Sequence, residues 1–136
     1  MAHLGYSRPR PVTLALVAGP EYETEIKQLR ATMSTIGQVL DLDGMRREIA
    51  DLGEQVAAPD LWDDQDNATR VTGRLSGLQG EVDRFGELEA RIEDLGALVE
   101  LGVELDDADS LAEAEAELPK LYAAQKGFFR RRSARA

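Results

Sequence analysis

The sequence contains no cysteine and one histidine, and aromatic residues make up 5% of its 136 residues. Without cysteine the chain can form no disulfide framework, thiolate nucleophile or cysteine zinc site. His3 has no second histidine to act with, so we expect no catalytic or metal site around it. No apolar run approaches the roughly 20 residues of a membrane-spanning helix, and we therefore expect neither an enzyme nor a membrane protein.

The first residues superficially resemble a secretion signal, because Arg8 and Arg10 precede the apolar run VTLALVA. That run is short, lies behind Pro9 and Pro11 and leads directly into an acidic segment, which disfavours secretion. We expect residues 1–19 to form a disordered leader. A cytoplasmic location fits this interpretation and the absence of cysteine.

Negative charge dominates, with a formal net charge of −10, but it is unevenly distributed. Residues 17–125 hold all 26 acids and 9 of the bases, which gives this segment a charge of −17. Because so acidic a body repels phosphates, any RNA contact should run through a local basic patch or a protein partner.

A basic patch closes the chain, and we expect residues 126–136 to be a disordered tail. Phe128 and Phe129 accompany its charges, so weak contact with ribosomal RNA through charge and stacking is one interpretation. A solvated tail without a partner is equally open. The candidate RNA contacts are Lys126, Arg130, Arg131 and Arg132.

Apolar residues recur every three or four positions along most of residues 20–125, which is the period of an amphipathic helix. No segment shows the sustained alternation of a strand. The longest run spans residues 71–99, and its spacing slips after Phe85, which disfavours a continuous two-stranded coiled coil. The sequence therefore predicts an all-α fold, a helical hairpin or small antiparallel bundle with a long central helix.

Helix boundaries are predicted from capping and helix-breaking residues. Asp43 is expected to cap the second helix, and Asp109 or Ser110 the last one. Gly96 is the expected bend in the long run. Pro119 should kink or fray the last helix near Leu118, because proline removes a backbone donor.

The stretch APDLWDDQDNATRV, residues 57–70, offers clustered carboxylates that could bind a hard cation. It lacks the alternating acids, glycine and distal glutamate of a calcium-binding loop, so we expect no metal or cofactor here. A helix start explains more of its residues. In that interpretation Pro59 ends one helix, Leu61 and Trp62 fold back as an apolar plug, and Asp63 caps the next helix with Asp66 three positions later.

Two segments carry a family resemblance: IGQVLDLDGMRREIADLGEQVAAPDLWDDQDNATRVTGRLSGLQGEV and RIEDLGALVELGVELDDADSLAEAEAEL. Over residues 20–121 the chain resembles the N-terminal helical domain of bacterial peptide chain release factor 2, in its actinobacterial form. The phrase PDLWDD distinguishes this resemblance from release factor 1. The segment after Leu121 departs from the family pattern. Pro119 also departs from it.

This resemblance implies a translation-termination factor that binds the ribosome at UGA and UAA codons. It also implies that the domain reaches towards the ribosomal stalk base and release factor 3, with no small-molecule partner. The family's Ser-Pro-Phe codon-reading tripeptide and Gly-Gly-Gln hydrolysis loop are absent from these 136 residues, so we expect a truncated, non-catalytic form. The alternatives are a stand-alone ribosome-associated or regulatory helical protein, and an acidic helical oligomerisation module.

Overall fold

The computed structural model describes the backbone of residues 11–135 and the side chains of residues 21–131. This part of the chain is all-α, as predicted, and contains no strand. Its elements are α1 (Pro11–Leu40), α2 (Leu42–Ala57), a short 3-10 helix (Leu61–Asp63), α3 (Gln65–Glu104) and α4 (Ala108–Arg135). The predicted long central helix is α3, with 40 residues.

The chain divides into two compact units, the first made of Met1–Met33 with Glu89–Ala136 and the second of Ser34–Leu88. In the second unit, α2 and the beginning of α3 pack through an apolar cluster. On the exposed side of the same helices, both guanidinium nitrogens Nε and Nη2 of Arg74 donate to the carboxylate of Glu48, at 2.8 and 3.0 Å. The buried members of the cluster are Leu52, Leu61, Ala68, Val71 and Leu78.

In the first unit, polar contacts join α1 to α4 beside the buried apolar stripes. The Tyr22 hydroxyl donates to the Leu111 carbonyl at 3.1 Å, and the Tyr122 hydroxyl donates to the Glu25 carboxylate. Gln125 Nε2 donates to the Leu29 carbonyl at 2.8 Å. Because the residue numbers rise together along both helices, α1 and α4 run parallel here. Apolar burial is the main stabilising contribution, and these bonds fix how α4 is oriented against α1.

The contact between Tyr122 and Glu25 should be visible in an alkaline titration. Burial, the hydrogen bond to Glu25 and the negative charge of that carboxylate together raise the pKa of Tyr122 to about 12. Since the folded pKa lies above the ordinary value near 10, the stability it contributes is fully present below about pH 10 and is lost as pH rises through 12. We expect tyrosinate absorbance to show Tyr122 ionising late, in addition to Tyr22, whose pKa burial also raises. Glu25→Gln should shift the Tyr122 ionisation to lower pH; an unchanged curve would contradict the contact.

The caps of all three later helices differ from those predicted. Asp41, with φ 56°, ends α1 and caps α2, since its side chain accepts from the Gly44 N–H. A side chain on Gly44 would collide with this carboxylate, because an added Cβ would lie 2.2 Å from Asp41 Oδ2. Asp107 caps α4 by accepting from the Asp109 and Ser110 N–H groups. The predictions of Asp43 and of Asp109 or Ser110 were therefore wrong by a few positions.

Gly96 and Pro119 do not interrupt their helices, contrary to the prediction of a bend and a frayed end. Helix α3 is continuous through Gly96, and α4 is continuous through Pro119. Pro119 is exposed and costs one backbone donor, whereas Ala114 and Leu121 on either side of it are completely buried. Their burial outweighs the lost bond. The chain reverses after α3 instead, where Asp106 takes φ 53°.

The structure places helix in parts of the predicted disordered leader and tail. Residues 11–19 belong to α1, and residues 126–135 belong to α4; residues 1–10 and 136, including His3, lie outside the described part. The tail is helical because the stripe of Leu111, Ala114 and Leu121 continues through Gln125 and Phe128, both of which are buried. The prediction of a disordered tail rested on the basic charges of residues 126–136.

Candidate functional site

The aspartate-rich stretch between α2 and α3 is a helix start in which the residues take different roles from those predicted. Pro59 follows Ala58, whose extended backbone ends α2 as expected before proline. Leu61 is buried in the apolar cluster. Trp62 is 59% exposed, so the prediction that it folds back with Leu61 was wrong. In a single turn of 3-10 helix, adjacent side chains point in different directions, so Leu61 enters the apolar cluster and Trp62 does not.

Asp64, rather than Asp63, caps α3. Asp64 Oδ1 accepts from the Asn67 N–H at 3.1 Å, and its carbonyl accepts from the Ala68 N–H at 2.9 Å. Asp63 lies inside the 3-10 helix, and Asp66 lies in the first turn of α3. At that position a carboxylate interacts favourably with the positive end of the helix. The capping-box pair of Asp63 and Asp66 is therefore not formed.

Substitutions at Asp64 and Asp63 should show which of the two aspartates caps α3. We expect Asp64→Ala to lower the free energy of unfolding by about 1 kcal/mol, because it leaves the Asn67 N–H without its acceptor. Asp63→Ala removes the same charge from the adjacent position and should change it by less than about 0.5 kcal/mol. Urea denaturation followed by circular dichroism measures both, and a larger loss for Asp63→Ala would show that the cap is misassigned.

No group of three or more histidine, cysteine, aspartate or glutamate side chains in the described residues could hold a metal ion. The Asp107 carboxylate caps the start of α4, and its hydrogen bonds from Ser110 and Asp109 lower its pKa. The hydrogen bond and positive charge of Arg74 lower the pKa of Glu48. These carboxylates act as a helix cap and an ion pair. Within the same residues, no helix is long and apolar enough to cross a membrane.

The end of α4 presents a second feature, which we call the basic end: Lys126, Phe129 and Arg130. Lys126 and Arg130 are exposed, and the Phe129 ring is 40% exposed. Of the other predicted RNA contacts, Arg131 is half-buried, with its guanidinium carbon 4.7 Å from the centre of the buried Phe128 ring. The side chain of Arg132 lies outside the described residues. Of the three predicted RNA contacts whose side chains are described, two are exposed and one is half-buried.

A third feature was missed by the sequence analysis and is called here the apolar turn: Leu101, Val103 and Leu105. Their exposed fractions are 51, 36 and 66%. They lie at the end of α3 among the acids Glu100, Glu104 and Asp106. Their spacing of two positions departs from the spacing of three or four that marks the buried stripe, and this was the signal available in the sequence.

The chain is similar in sequence to known proteins of one family. The family model described as "PCRF domain" matches residues 45–131. A peptide chain release factor 2 from Kineococcus radiotolerans is 52% identical over 98 residues, which are 72% of this chain and 27% of that protein. The peptide chain release factor 2 from Pseudarthrobacter chlorophenolicus is 46% identical over 81% of this chain and 30% of that protein. The one from Beutenbergia cavernae is 54% identical over 74% of this chain and 27% of that protein.

Long helices joined by short capped turns define the class of all-α helical domains. Within that class, the chain belongs to the PCRF domain family. It spans less than a third of the length of the curated relatives it matches. The family match continues to residue 131, so the prediction that the segment after Leu121 departs from the family was wrong.

Proposed function

We propose that this chain is a ribosome-binding helical domain of the release factor 2 type, which takes part in translation termination in the cytoplasm. The observation that carries the proposal is the match of the PCRF domain to residues 45–131, together with relatives that are named peptide chain release factor 2. In this proposal the domain supplies binding surface and no chemistry. The absence of Ser-Pro-Phe and Gly-Gly-Gln from the 136 residues supports that division of roles.

The proposed contact lies on the ribosomal stalk base and release factor 3. The apolar turn supports this part of the proposal, because three large apolar side chains in one short segment lose contact with water when a partner covers them. Its acidic neighbours favour a partner with basic residues around an apolar centre. Ordinary folding of the described residues leaves these side chains in water.

Cosedimentation with ribosomes tests this function. We expect the chain to pellet with ribosomes and the double variant Leu101→Ser, Leu105→Ser to pellet less. Val39→Ser is the matched control, since Val39 is an exposed apolar residue of the other unit, and it should bind like the unchanged chain. If the unchanged chain stays in the supernatant, the ribosome-binding function is wrong.

A peptide-release assay on ribosomes programmed with UGA tests the non-catalytic role. We expect no release above the rate without factor, because no residue here is proposed to direct water to the ester bond. Release by this chain alone would overturn the claim that it lacks the chemistry. Ribosome binding and release are read separately, so each part of the proposal can fail on its own.

A further inference from the structure

The basic end of α4 forms an exposed face made of two cations and one aromatic ring. Lys126 and Arg130 are one helical turn apart, and Phe129 lies three positions after Lys126, so the three side chains project from neighbouring positions on the helix surface. All three are exposed. Nothing in helix propensity or in the helix dipole requires the ring to remain in water.

This face is held in place by the opposite side of the same helix. Gln125 and Phe128 are 3 and 4% exposed, and Gln125 donates to the Leu29 carbonyl of α1. The guanidinium of Arg131 lies over the Phe128 ring. Because these contacts fix the rotation of α4, the basic end is presented without the ordering cost of a flexible tail.

The last segment of the sequence is basic although the chain as a whole is acidic. Residues 118–136 contain six bases and no acid, and the stretch of α1 over residues 26–40 likewise has no acid. Glu117, the last acid, precedes Lys126 by nine positions, which is about 13 Å along a helix and exceeds the screening length of about 8 Å at physiological salt. The acids in the earlier part of α4 therefore weaken the positive electrostatic field at Lys126 and Arg130 only slightly.

Phe129 differs from the other exposed large apolar residues of the described chain in its charged neighbours. Acids flank Trp62 and the apolar turn, whereas Arg130 directly follows Phe129 and Lys126 precedes it by one turn. Cations that contact phosphates beside an aromatic ring that stacks on a base form the combination that binds single-stranded nucleic acid. A duplex keeps its bases stacked and would offer the ring no partner. We propose that Lys126, Phe129 and Arg130 form a binding site for an unpaired RNA strand.

This inference goes beyond the proposed ribosome-binding function and does not depend on it, because free RNA is the probe. Fluorescence anisotropy with a short labelled oligouridylate and with a blunt RNA duplex of equal length measures binding to the full chain in rising salt. We expect salt-dependent binding of the single strand and weaker binding of the duplex. Duplex binding as tight as that of the single strand would overturn the proposal.

Substitutions measure the contribution of the Phe129 ring and that of the two cations separately. Phe129→Ala should weaken binding about five-fold or more, and Phe129→Tyr should retain it, because one stacked base contributes roughly 1–3 kcal/mol. Lys126→Ala with Arg130→Ala should reduce the slope of log affinity against log salt by about 1.4, since each phosphate contact on a single strand contributes about 0.7. Circular dichroism is expected to show unchanged helix content, because the substituted side chains are exposed.

Matched controls identify effects of net charge or of aromatic exposure alone. Lys27→Ala with Arg46→Ala removes the same charge from exposed positions elsewhere, and Trp62→Ala removes an exposed ring among acids; both should bind RNA like the unchanged chain. If these controls lower affinity as much as the basic-end variants, the assignment is wrong. The chain could instead bind no RNA and self-associate in light scattering, with the basic-end variants abolishing that association. This result would show that the face binds the acidic surface of a second copy, and it would also overturn the proposal.

Discussion

Phe128→Ala is expected to lower the free energy of unfolding by about 3 kcal/mol, which is the range for removing a buried phenylalanine side chain. Phe128 is 4% exposed near the end of α4, and its ring also carries the guanidinium of Arg131. The substitution would leave a cavity and remove this cation–π contact at the same time. Urea denaturation followed by circular dichroism of the full chain measures the change.

Phe129→Ala is the matched control, because it removes the same side chain from the adjacent position. Phe129 is 40% exposed, so its loss should change the free energy of unfolding by about 0.5 kcal/mol or less. A large difference between the two variants would mean that the last residues of the described chain are part of the folded domain. Equal, small effects would instead restore the interpretation of residues 126–136 as a detached tail.

Replacing Gly73, Gly77 and Gly86 by alanine together should raise the free energy of unfolding by about 2–3 kcal/mol. All three are exposed positions inside α3, and a Cβ added at any of them would meet nothing within 4 Å. Each glycine costs up to about 1 kcal/mol relative to alanine in a helix interior. Because all three lie in the second unit, a thermal melt of that unit should move upwards by about 10 °C.

Gly102→Ala is the counterpart in the same helix and should destabilise the first unit. A Cβ at Gly102 would lie 2.9 Å from Leu111 Cδ2 and 3.0 Å from Leu111 Cγ. Leu111 is 2% exposed and has little room to move, so overpacking of about 1–3 kcal/mol exceeds the gain in helix propensity. If Gly102→Ala stabilises the chain like the other three, α3 and α4 do not approach as closely as described.

The apolar stripes were predictable because helical periodicity depends on many residues at once. Ile26, Leu29, Met33 and Ile36 are all buried, as their spacing of three and four positions predicts. Single residues decide a cap, and several aspartates near each turn could serve. Asp41, Asp64 and Asp107 were selected by backbone geometry at the turn, and composition does not contain that information.

Tertiary packing accounts for the larger differences. Pro119 weakens helix locally, yet Ala114 and Leu121 hold α4 together through burial against other helices, and no local rule includes that contribution. Gln125 interrupts the apolar pattern before Phe128, so the stripe ends early if only apolar residues are counted. In the structure Gln125 is buried because the Leu29 carbonyl satisfies its donor. A polar residue in the stripe therefore concealed the true extent of the helix.

The central proposal is that this chain binds the ribosome. The most direct test is competition between the labelled chain and an excess of a full-length actinobacterial release factor 2 on ribosomes programmed with UGA. We expect the full-length factor to displace the chain, with Leu101→Ser, Leu105→Ser already weakening the complex before competitor is added. A ribosome-bound chain that the excess factor leaves in place would contradict binding at the site of release factor 2.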